Sequence, residues 1–228
     1  MSLKVNICGI EFNNPIIAAS GTFGFGKEFD DYIDLDKLGG ISSKGLTLHK
    51  NLGNKGVRIY ETAAGIMNSI GLQNPGIEYF IKEELPFLEN KKAVTIANLG
   101  GHSVEDYIKG SEFLDKTSVP IIELNISCPN VKEGGMAFGT NPKKACEVIE
   151  KVRKTTKKVL MVKLSPNVGD IKEFVKIAEN SGADCISLVN TFNAMAIDVD
   201  NKKAVFENKT AGLSGPCIKP IALRMVYE

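Results

Sequence analysis

The stretch Pro120-Ile-Ile-Glu-Leu-Asn125 decides the fold, because it is a short, mostly apolar run that ends in a polar side chain. Runs of this kind are typical of strands that are buried on both faces of a parallel sheet. Similar runs recur along the chain at residues 15–20, 40–44, 93–98, 159–164 and 183–190. We therefore predict six buried strands.

Helical patterns lie between several of these strands, at residues 104–114, 142–155 and 171–181. Each pattern follows a residue type that commonly caps a helix N-terminus, namely Ser103, Asn141 and Asp170. A further helix is predicted to begin within residues 216–228. Strands that alternate with helices in this way indicate a parallel sheet.

Polar residues at the strand ends favour a (β/α)8 TIM barrel over a doubly wound sheet. In a barrel all C-terminal strand ends meet at one rim, where active sites lie. A doubly wound sheet usually carries a G-x-G-x-x-G turn after its first strand, and Gly21-Thr-Phe-Gly-Phe-Gly26 lacks that spacing. The polar residues at the predicted strand ends are Ser20, Lys44, Asn98, Asn125, Lys163 and Asn190-Thr191.

The predicted architecture is a single α/β barrel domain that comprises residues 1–228. Eight βα units typically need roughly 250 residues, so we expect the last one or two units of the barrel to be missing from the 228 residues. Residues 191–215 are expected to form an elaborated rim loop with a hairpin at Asp200-Asn201.

The composition favours small-molecule chemistry. A balance of 28 Lys and Arg against 27 Asp and Glu residues argues against nucleic acid or an acidic membrane as a partner. No apolar run approaches the roughly 18 residues of a membrane-spanning helix, and no signal-peptide pattern opens the chain, so we expect a cytoplasmic protein. Five widely spaced cysteines without a C-x-x-C pair indicate reduced thiols, and two histidines exclude a three-histidine metal site.

Two lysines at predicted strand ends, Lys44 and Lys163, indicate an anionic ligand. A buried ammonium is costly unless an anion or an electron-rich group meets it. One such lysine could extend to solvent or pair with a carboxylate. Two of them on converging strand ends favour a ligand that carries negative charge.

Asparagines form a second unusual set, because an amide side chain both donates and accepts hydrogen bonds. A pyrimidine or isoalloxazine edge, with alternating N–H and C=O groups, needs such partners. Asparagine is also common in turns and helix caps, which explains any one of these residues but not the whole set. The set is Asn68, Asn98, Asn125, Asn130 and Asn190.

Cys128 lies just past the strand that ends at Asn125, and its role stays open at this point. It could be a small buried apolar residue, a nucleophile, a metal ligand or a general base. A nucleophile usually has a basic partner, and neither histidine is adjacent in sequence. An unshifted thiol with a pKa of about 8.5 can accept a proton where its surroundings favour the thiolate. The other cysteines are interpreted as buried apolar residues: Cys8, Cys146, Cys185 and Cys217.

Taken together, seven segments of the chain resemble the flavin-dependent dihydroorotate dehydrogenases and follow that family's order. The resemblance covers nearly the whole chain. Any one segment is a weak match, but the set is highly specific. The segments are Ala18-Ala-Ser-Gly21, Ser42-Ser-Lys-Gly45, Asn68-Ser-Ile-Gly-Leu-Gln-Asn74, Glu123-Leu-Asn-Ile-Ser-Cys-Pro-Asn130, Val162-Lys-Leu-Ser165, Val189-Asn-Thr191 and Gly212-Leu-Ser-Gly-Pro216.

The resemblance implies an FMN-binding barrel that oxidises dihydroorotate to orotate in pyrimidine synthesis, with Cys128 as the general base and the flavin N5 as the hydride acceptor. Separately from the resemblance, we hypothesise that the loop that carries Cys128 closes over the site and excludes water, with Gly134 and Gly135 supplying its mobility. The implied FMN contacts are Ser20, Lys44, Gly45, Asn98, Asn125, Lys163, Val189 and Gly215. The implied substrate contacts are Lys44, Asn68, Ser69, Ile70, Gly71, Leu72, Asn125, Asn190 and Thr191. The family's FMN-phosphate segments would lie beyond residue 228, so whether these residues alone hold FMN is left open.

Within that family, a cysteine base marks the soluble class and a serine base marks the membrane-associated class. The segment 128–139 is similar to the heteromeric, NAD-linked class 1B. This similarity implies a partner subunit that carries FAD and an iron-sulfur cluster, around a homodimer core of a heterotetramer. The chain has no cysteine cluster of its own for such a centre.

Three alternatives remain at this stage. The first is a related flavin barrel, such as dihydropyrimidine dehydrogenase or dihydrouridine synthase, which acts on another dihydropyrimidine or on dihydrouridine. The second is a cofactor-free cysteine hydrolase. The third is a non-catalytic barrel fragment that serves as a binding subunit.

Overall fold

The structure, a computed structural model, describes residues 2–127 and 138–228. The strands of this part of the chain are β1 (Val5–Ile7), β2 (Ile10–Phe12), β3 (Ile17–Ala18), β4 (Gly40–Ser42), β5 (Ile59–Thr62), β6 (Gly65–Asn68), β7 (Val94–Leu99), β8 (Ile121–Asn125), β9 (Val159–Lys163), β10 (Cys185–Ser187), β11 (Phe192–Met195), β12 (Ile197–Asp198), β13 (Lys203–Ala204) and β14 (Thr210–Ser214). The helices are α1 (Ile77–Tyr79), α2 (Leu85–Glu89), α3 (Val104–Asp115), α4 (Pro142–Arg153), α5 (Ile171–Asn180) and α6 (Lys219–Tyr227). A π-helical turn, Phe80–Glu84, joins α1 to α2.

The central element is a parallel sheet of six strands in the order β10-β9-β8-β7-β4-β3. All six strands predicted from the sequence belong to it, which confirms the parallel α/β class. The three predicted helices are also confirmed as α3, α4 and α5. Their N-termini are capped as predicted, because the side chains of Ser103, Asn141 and Asp170 accept hydrogen bonds from the first turn of each helix.

The parallel sheet is curled around its inner face, as in a barrel. Glu123, on β8, accepts hydrogen bonds from Ser42 on β4 at 2.6 Å and from Ser187 on β10 at 2.7 Å. Each of these strands is two positions away from β8, on opposite sides. In a flat sheet, strands two positions apart are separated by roughly 9.5 Å, so one side chain reaches both only if the sheet bends toward it. The predicted TIM-barrel architecture is therefore present as an incomplete barrel of six parallel strands.

The inside of the curl is layered. Phe12 of the β1–β2 hairpin is fully buried against Ile96, Ile121 and Met161. Ile121 is the first residue of β8 and Ile96 lies opposite it on β7, whereas Met161 is level with Glu123. Because alternate residues of a strand face the same side, Ile121 and Glu123 occupy successive inner layers of β8. The cluster around Phe12, which we call the apolar plug, thus lies beneath a polar layer formed by Glu123 and its hydrogen-bond donors. On the outer side, α3, α4 and α5 cover the sheet with buried residues such as Leu114 and Val148.

A second sheet corrects the expectation that residues 191–215 form a rim loop. Its four strands have the order β11-β14-β6-β5 and are antiparallel. The hairpin predicted at Asp200-Asn201 is confirmed, since it joins β12 to β13. The rest of the segment is more regular than expected because β14 pairs with β6, a partner that is remote in sequence.

The four described cysteines form no disulfide with one another. Their interpretation as buried residues was wrong for Cys8, which is exposed, whereas Cys146, Cys185 and Cys217 are half-buried. Cys185 is half-buried at the start of β10, and burial, with the nearby Cys8, Asp184 and Glu123, raises the pKa of its thiol to about 12. The Cys185 thiol therefore stays protonated near neutral pH, which suits a packing role. Within the described ranges, no helix is long and apolar enough to cross a membrane.

Gly39, the residue directly before β4, allows a test of the close backbone packing at the start of that strand. A Cβ atom on Gly39 would lie 1.9 Å from the backbone oxygen of Asn14, which has no freedom to move away. We expect Gly39→Ala to lower the free energy of unfolding by at least about 2 kcal/mol, as overpacking does, in urea denaturation followed by circular dichroism. Gly169→Ala is the matched control, because no atom lies within 4 Å of its Cβ position. Equal midpoints for both variants would contradict this packing.

Candidate active site

Three asparagine side chains form a line of hydrogen bonds at the C-terminal end of the parallel sheet. Asn190 Nδ2 donates to Asn125 Oδ1 at 3.3 Å, and Asn125 Nδ2 donates to Asn98 Oδ1 at 3.3 Å. Asn98 Nδ2 then donates to the Glu123 carboxylate at 2.6 Å. We call Asn190, Asn125 and Asn98 the amide chain. Every amide in it donates toward Glu123.

Both ends of the amide chain fix this direction. The Glu123 carboxylate can only accept, so the nitrogen of Asn98 must face it. At the other end, Asn190 Oδ1 accepts the backbone N–H of Thr191 at 2.8 Å. Ser127 supports the middle, because its hydroxyl donates to Asn125 Oδ1 at 2.7 Å and accepts from Asn190 Nδ2.

Glu123 is a buried carboxylate whose partners are neutral. Its side chain is only 5% exposed, and its donors are the two serine hydroxyls of β4 and β10 and the Asn98 amide. Among residues 2–127 and 138–228, no cation forms an ion pair with it. Hydrogen bonds to a charged acceptor are strong, and three of them make the burial of this charge tolerable.

Lys44 and Lys163 lie beside the amide chain. Lys163 ends β9 directly opposite Asn125, and Lys44 follows β4 by two residues. Both are half-buried, and within the described part of the chain neither ammonium has a hydrogen-bond or ion-pair partner. Two such ammonium groups at one rim are suited to an anionic or electron-rich ligand, as the sequence indicated.

Gly45 keeps the space next to Asn98 open. A Cβ atom there would lie 3.3 Å from Asn98 Oδ1 and 3.1 Å from the side chain of Leu72. The backbone at Gly45 and the segment that contains Leu72 therefore both lie next to Asn98 of the amide chain. Leu72 itself adopts a positive φ of 54°, after Gly71 at 72°.

Gly212 brings Asn68 and Thr191 together. Asn68 Nδ2 donates to the backbone oxygen of Gly212 at 3.4 Å. On the other side of Gly212, a Cβ atom would overlap Thr191 Oγ1 at 2.0 Å. Because Thr191 follows Asn190 directly, Asn68 also approaches the amide chain.

Comparison with known proteins shows the family of this chain. Residues 2–228 match the family model described as dihydroorotate dehydrogenase. This chain belongs to the dihydroorotate dehydrogenase family. The family is flavin-dependent, so the lysines and amides of the site can be compared with what a flavin needs for binding.

Curated relatives of the dihydroorotate dehydrogenase family support the assignment. A protein of Petrotoga mobilis is 61% identical over 225 residues, which cover 99% of this chain and 75% of that protein. Proteins of Thermoanaerobacter pseudethanolicus and Bacteroides thetaiotaomicron are 53% and 50% identical, covering 100% and 99% of this chain and 76% and 75% of their own lengths. All three are named "Dihydroorotate dehydrogenase B (NAD(+)), catalytic subunit". The resemblance found in the sequence is confirmed.

The structure unites most, but not all, of the residues that the family resemblance implies. Hydrogen bonds of the described residues do not link Ser20 to the amide chain, and Gly215 lies exposed next to Gly65 at the end of β14. Ile70 and Val189 are half-buried, and Ser69 is buried, accepting hydrogen bonds from Asn54 and Asn208. The predicted positions outside the described residues are Cys128, Asn130, Gly134 and Gly135.

The residues present fit a flavin of the kind that dihydroorotate dehydrogenases use. An isoalloxazine edge offers carbonyl and ring-nitrogen acceptors together with an N–H donor, and the amide chain offers both kinds of partner. Lys44 and Lys163 supply positive charge, with no ion-pair partner among residues 2–127 and 138–228, and Gly45 leaves room beside Asn98. For metals the donors are lacking: among residues 2–127 and 138–228, no group of three His, Cys, Asp or Glu side chains is placed to hold an ion.

Four residues of the site were not predicted from the sequence: Glu123, Ser42, Ser187 and Tyr107. For Glu123 the signal was available, because a carboxylate inside a buried apolar run is as unusual as Lys163 in the next strand. The serines carried no local signal, since small hydroxyl residues are common in strands. Tyr107, on α3, is buried and donates its hydroxyl to the backbone oxygen of Asn125 at 2.8 Å.

Tyr107 gives a test of how the site is supported. Tyr107→Phe removes the donor to the buried Asn125 carbonyl, so we expect the free energy of unfolding to fall by about 1–2 kcal/mol in urea denaturation. Tyr79→Phe is the matched control, because Tyr79 is 46% exposed, and we expect no measurable change. An unchanged midpoint for Tyr107→Phe would show that the hydroxyl contributes nothing to the strand end.

Proposed function

We propose that this chain is the catalytic subunit of an NAD-linked dihydroorotate dehydrogenase, which oxidises dihydroorotate to orotate in pyrimidine biosynthesis. The observation that carries the proposal is the match to the dihydroorotate dehydrogenase family along residues 2–228. The names of relatives at 50–61% identity supply the NAD linkage. Further support comes from the amide chain and from Lys44 and Lys163, whose ammonium groups have no partner among the described residues.

FMN is the cofactor in this proposal, and when bound it accepts the hydride. Lys163 would lie at its electron-rich edge, and Asn98 and Asn125 would hydrogen-bond to it. The proposed contacts are completed by Ser20, Lys44, Gly45, Val189 and Gly215. The support is strongest for Lys44, Lys163 and the two asparagines, because burial and charge single them out.

The substrate carries a carboxylate and a ring with both N–H and C=O groups. Lys44 is suited to the negative charge, and the amides of Asn68, Asn125 and Asn190 are suited to the ring, because each donates and accepts. Thr191 and the segment 69–72 complete the proposed pocket. The convergence of Asn68 and Thr191 on Gly212 supports this grouping.

Cys128 is the proposed general base. Formation of the double bond requires a proton to leave one carbon while a hydride leaves its neighbour, so the base and the flavin must face opposite sides of the substrate. Cys128 follows β8 closely, and β8 carries Asn125 at its end. A thiolate there would take the proton, which then passes to solvent.

The partner in this proposal is an electron-transfer subunit with FAD, an iron-sulfur cluster and a site for NAD, assembled on a homodimer of this chain in the cytoplasm. The term "catalytic subunit" in the relatives' names supports a partner. The iron-sulfur cluster is assigned to the partner because the cysteines of this chain are widely spaced.

The proposed function is tested by mixing the flavin-loaded, full-length protein with dihydroorotate without oxygen and following flavin absorbance. We expect rapid bleaching with dihydroorotate and little with dihydrouracil or dihydrouridine. A protein that dihydroorotate leaves oxidised would refute the assignment. Faster bleaching by dihydrouracil would favour a related flavin barrel.

The same experiment tests the base. We expect Cys128→Ala to slow flavin reduction at least about 100-fold, because a positioned base contributes roughly 10²–10⁴ to such rates. Orotate binding, measured by the shift in flavin absorbance, should change little. Cys146→Ala is the control, since Cys146 lies on the outer helix α4, and should reduce flavin at the wild-type rate. Rapid reduction in Cys128→Ala would remove Cys128 from the mechanism.

A further inference from the structure

We propose that Glu123 is a positioning residue that sets which way the amide chain runs, and thereby which hydrogen-bonding groups the site presents to its ligands. The identity of those ligands rests on the proposed function. The positioning itself depends only on side chains of this chain, and it can be tested without turnover.

Glu123 lies too deep to act on a ligand directly. It occupies the inner layer below Asn125, is 5% exposed, and has both carboxylate oxygens engaged. Oε1 accepts from Ser187, whereas Oε2 accepts from Ser42 and Asn98. Its effect on the rim therefore passes through Asn98.

The Glu123 carboxylate determines the orientation of the neighbouring Asn98 amide, because a carboxylate only accepts hydrogen bonds. Asn98 could turn either its nitrogen or its oxygen inward, and the carboxylate permits only the nitrogen. Asn98 Oδ1 then faces Asn125 and requires a donor, which turns Asn125 Nδ2 toward it. Asn125 Oδ1 is left for Ser127 and Asn190. One buried charge thus orders three amides in sequence.

The ordered chain leaves a defined set of unused groups. Each amide nitrogen carries two hydrogens. Asn98 donates one of them to Glu123, and Asn125 donates one to Asn98. Among residues 2–127 and 138–228, Asn190 donates both hydrogens, to Asn125 and Ser127, and its oxygen accepts one N–H, from Thr191. Within the described part of the chain, Asn98 and Asn125 therefore each keep one hydrogen to donate, while the Asn190 oxygen can accept a second hydrogen bond. A ligand with carbonyl or ring-nitrogen acceptors toward the first two and an N–H toward the third is complementary to this pattern.

Three variants of the full-length protein separate positioning from packing. Glu123→Leu removes every acceptor, Glu123→Gln keeps one acceptor at similar shape, and Ser187→Ala removes a hydrogen bond from the carboxylate oxygen that Asn98 does not use. Free FMN is added to each flavin-depleted protein, and its Kd is measured by quenching of flavin fluorescence. Urea denaturation confirms that each variant is folded.

We expect Glu123→Leu to weaken FMN binding about 10- to 100-fold, Glu123→Gln to weaken it less than about 10-fold, and Ser187→Ala to stay within about twofold. This order, partly rescued by glutamine, supports positioning. Wild-type affinity in folded Glu123→Leu, or equal weakening in Ser187→Ala, would overturn it. If Glu123→Leu does not fold, the comparison of Glu123→Gln with Ser187→Ala decides, and equal affinities would refute the proposal.

A second readout needs no ligand. In ¹H–¹⁵N spectra of the flavin-depleted wild type, we expect the Asn98 side-chain amide to show one proton shifted downfield by its bond to the carboxylate, assigned by its absence in Asn98→Ala. The shift should persist in Ser187→Ala and be lost in Glu123→Leu or, if that variant does not fold, reduced in Glu123→Gln. A shift that survives in folded Glu123→Leu, or in full in Glu123→Gln, contradicts the role of Glu123. If the wild type fails to oxidise dihydroorotate, the proposed function is wrong, but this spectrum still tests the positioning.

Discussion

The hydrogen bonds of one buried carboxylate hold the architecture and the site together. Glu123 on β8 receives donors from β4, β7 and β10, so its side chain joins four of the six parallel strands. A buried charge with neutral partners depends on their hydrogen bonds, and each bond that is lost makes its burial more costly. The sheet must therefore stay curved for the donors on β4 and β10 to reach the Glu123 carboxylate.

The parallel arrangement explains why residues far apart in sequence share a site. Each strand runs outward to the same rim, and the residue at its end joins the others there. Asn98, Asn125 and Asn190 come from different βα units but are linked by direct hydrogen bonds. The second sheet contributes from one side, through the contact of Asn68 and Thr191 with Gly212.

Sequence reasoning predicted what depends on local pattern. The six strands and three capped helices followed from apolar runs and capping residues, and Lys163 was conspicuous because a charge interrupted its run. The antiparallel sheet was not predicted, because Asn68 and Gly212 are 144 residues apart and neither flanking segment has a clear alternation. The contacts of Glu123 were equally inaccessible, because they depend on how far the sheet bends. For Cys128, composition and spacing left the role open, and the proposed role of general base comes from the family resemblance alone.

The apolar plug around Phe12 has an electrostatic consequence. Because Phe12, Ile96 and Ile121 fill the curl beneath the polar layer, the lysines at the rim have a medium of low dielectric constant below them and solvent only above. Field lines from Lys44 and Lys163 are then concentrated toward the open side. Dissolved salt therefore screens the attraction between these ammonium groups and a bound anion less than at an ordinary protein surface, while the buried Glu123 carboxylate opposes part of that attraction.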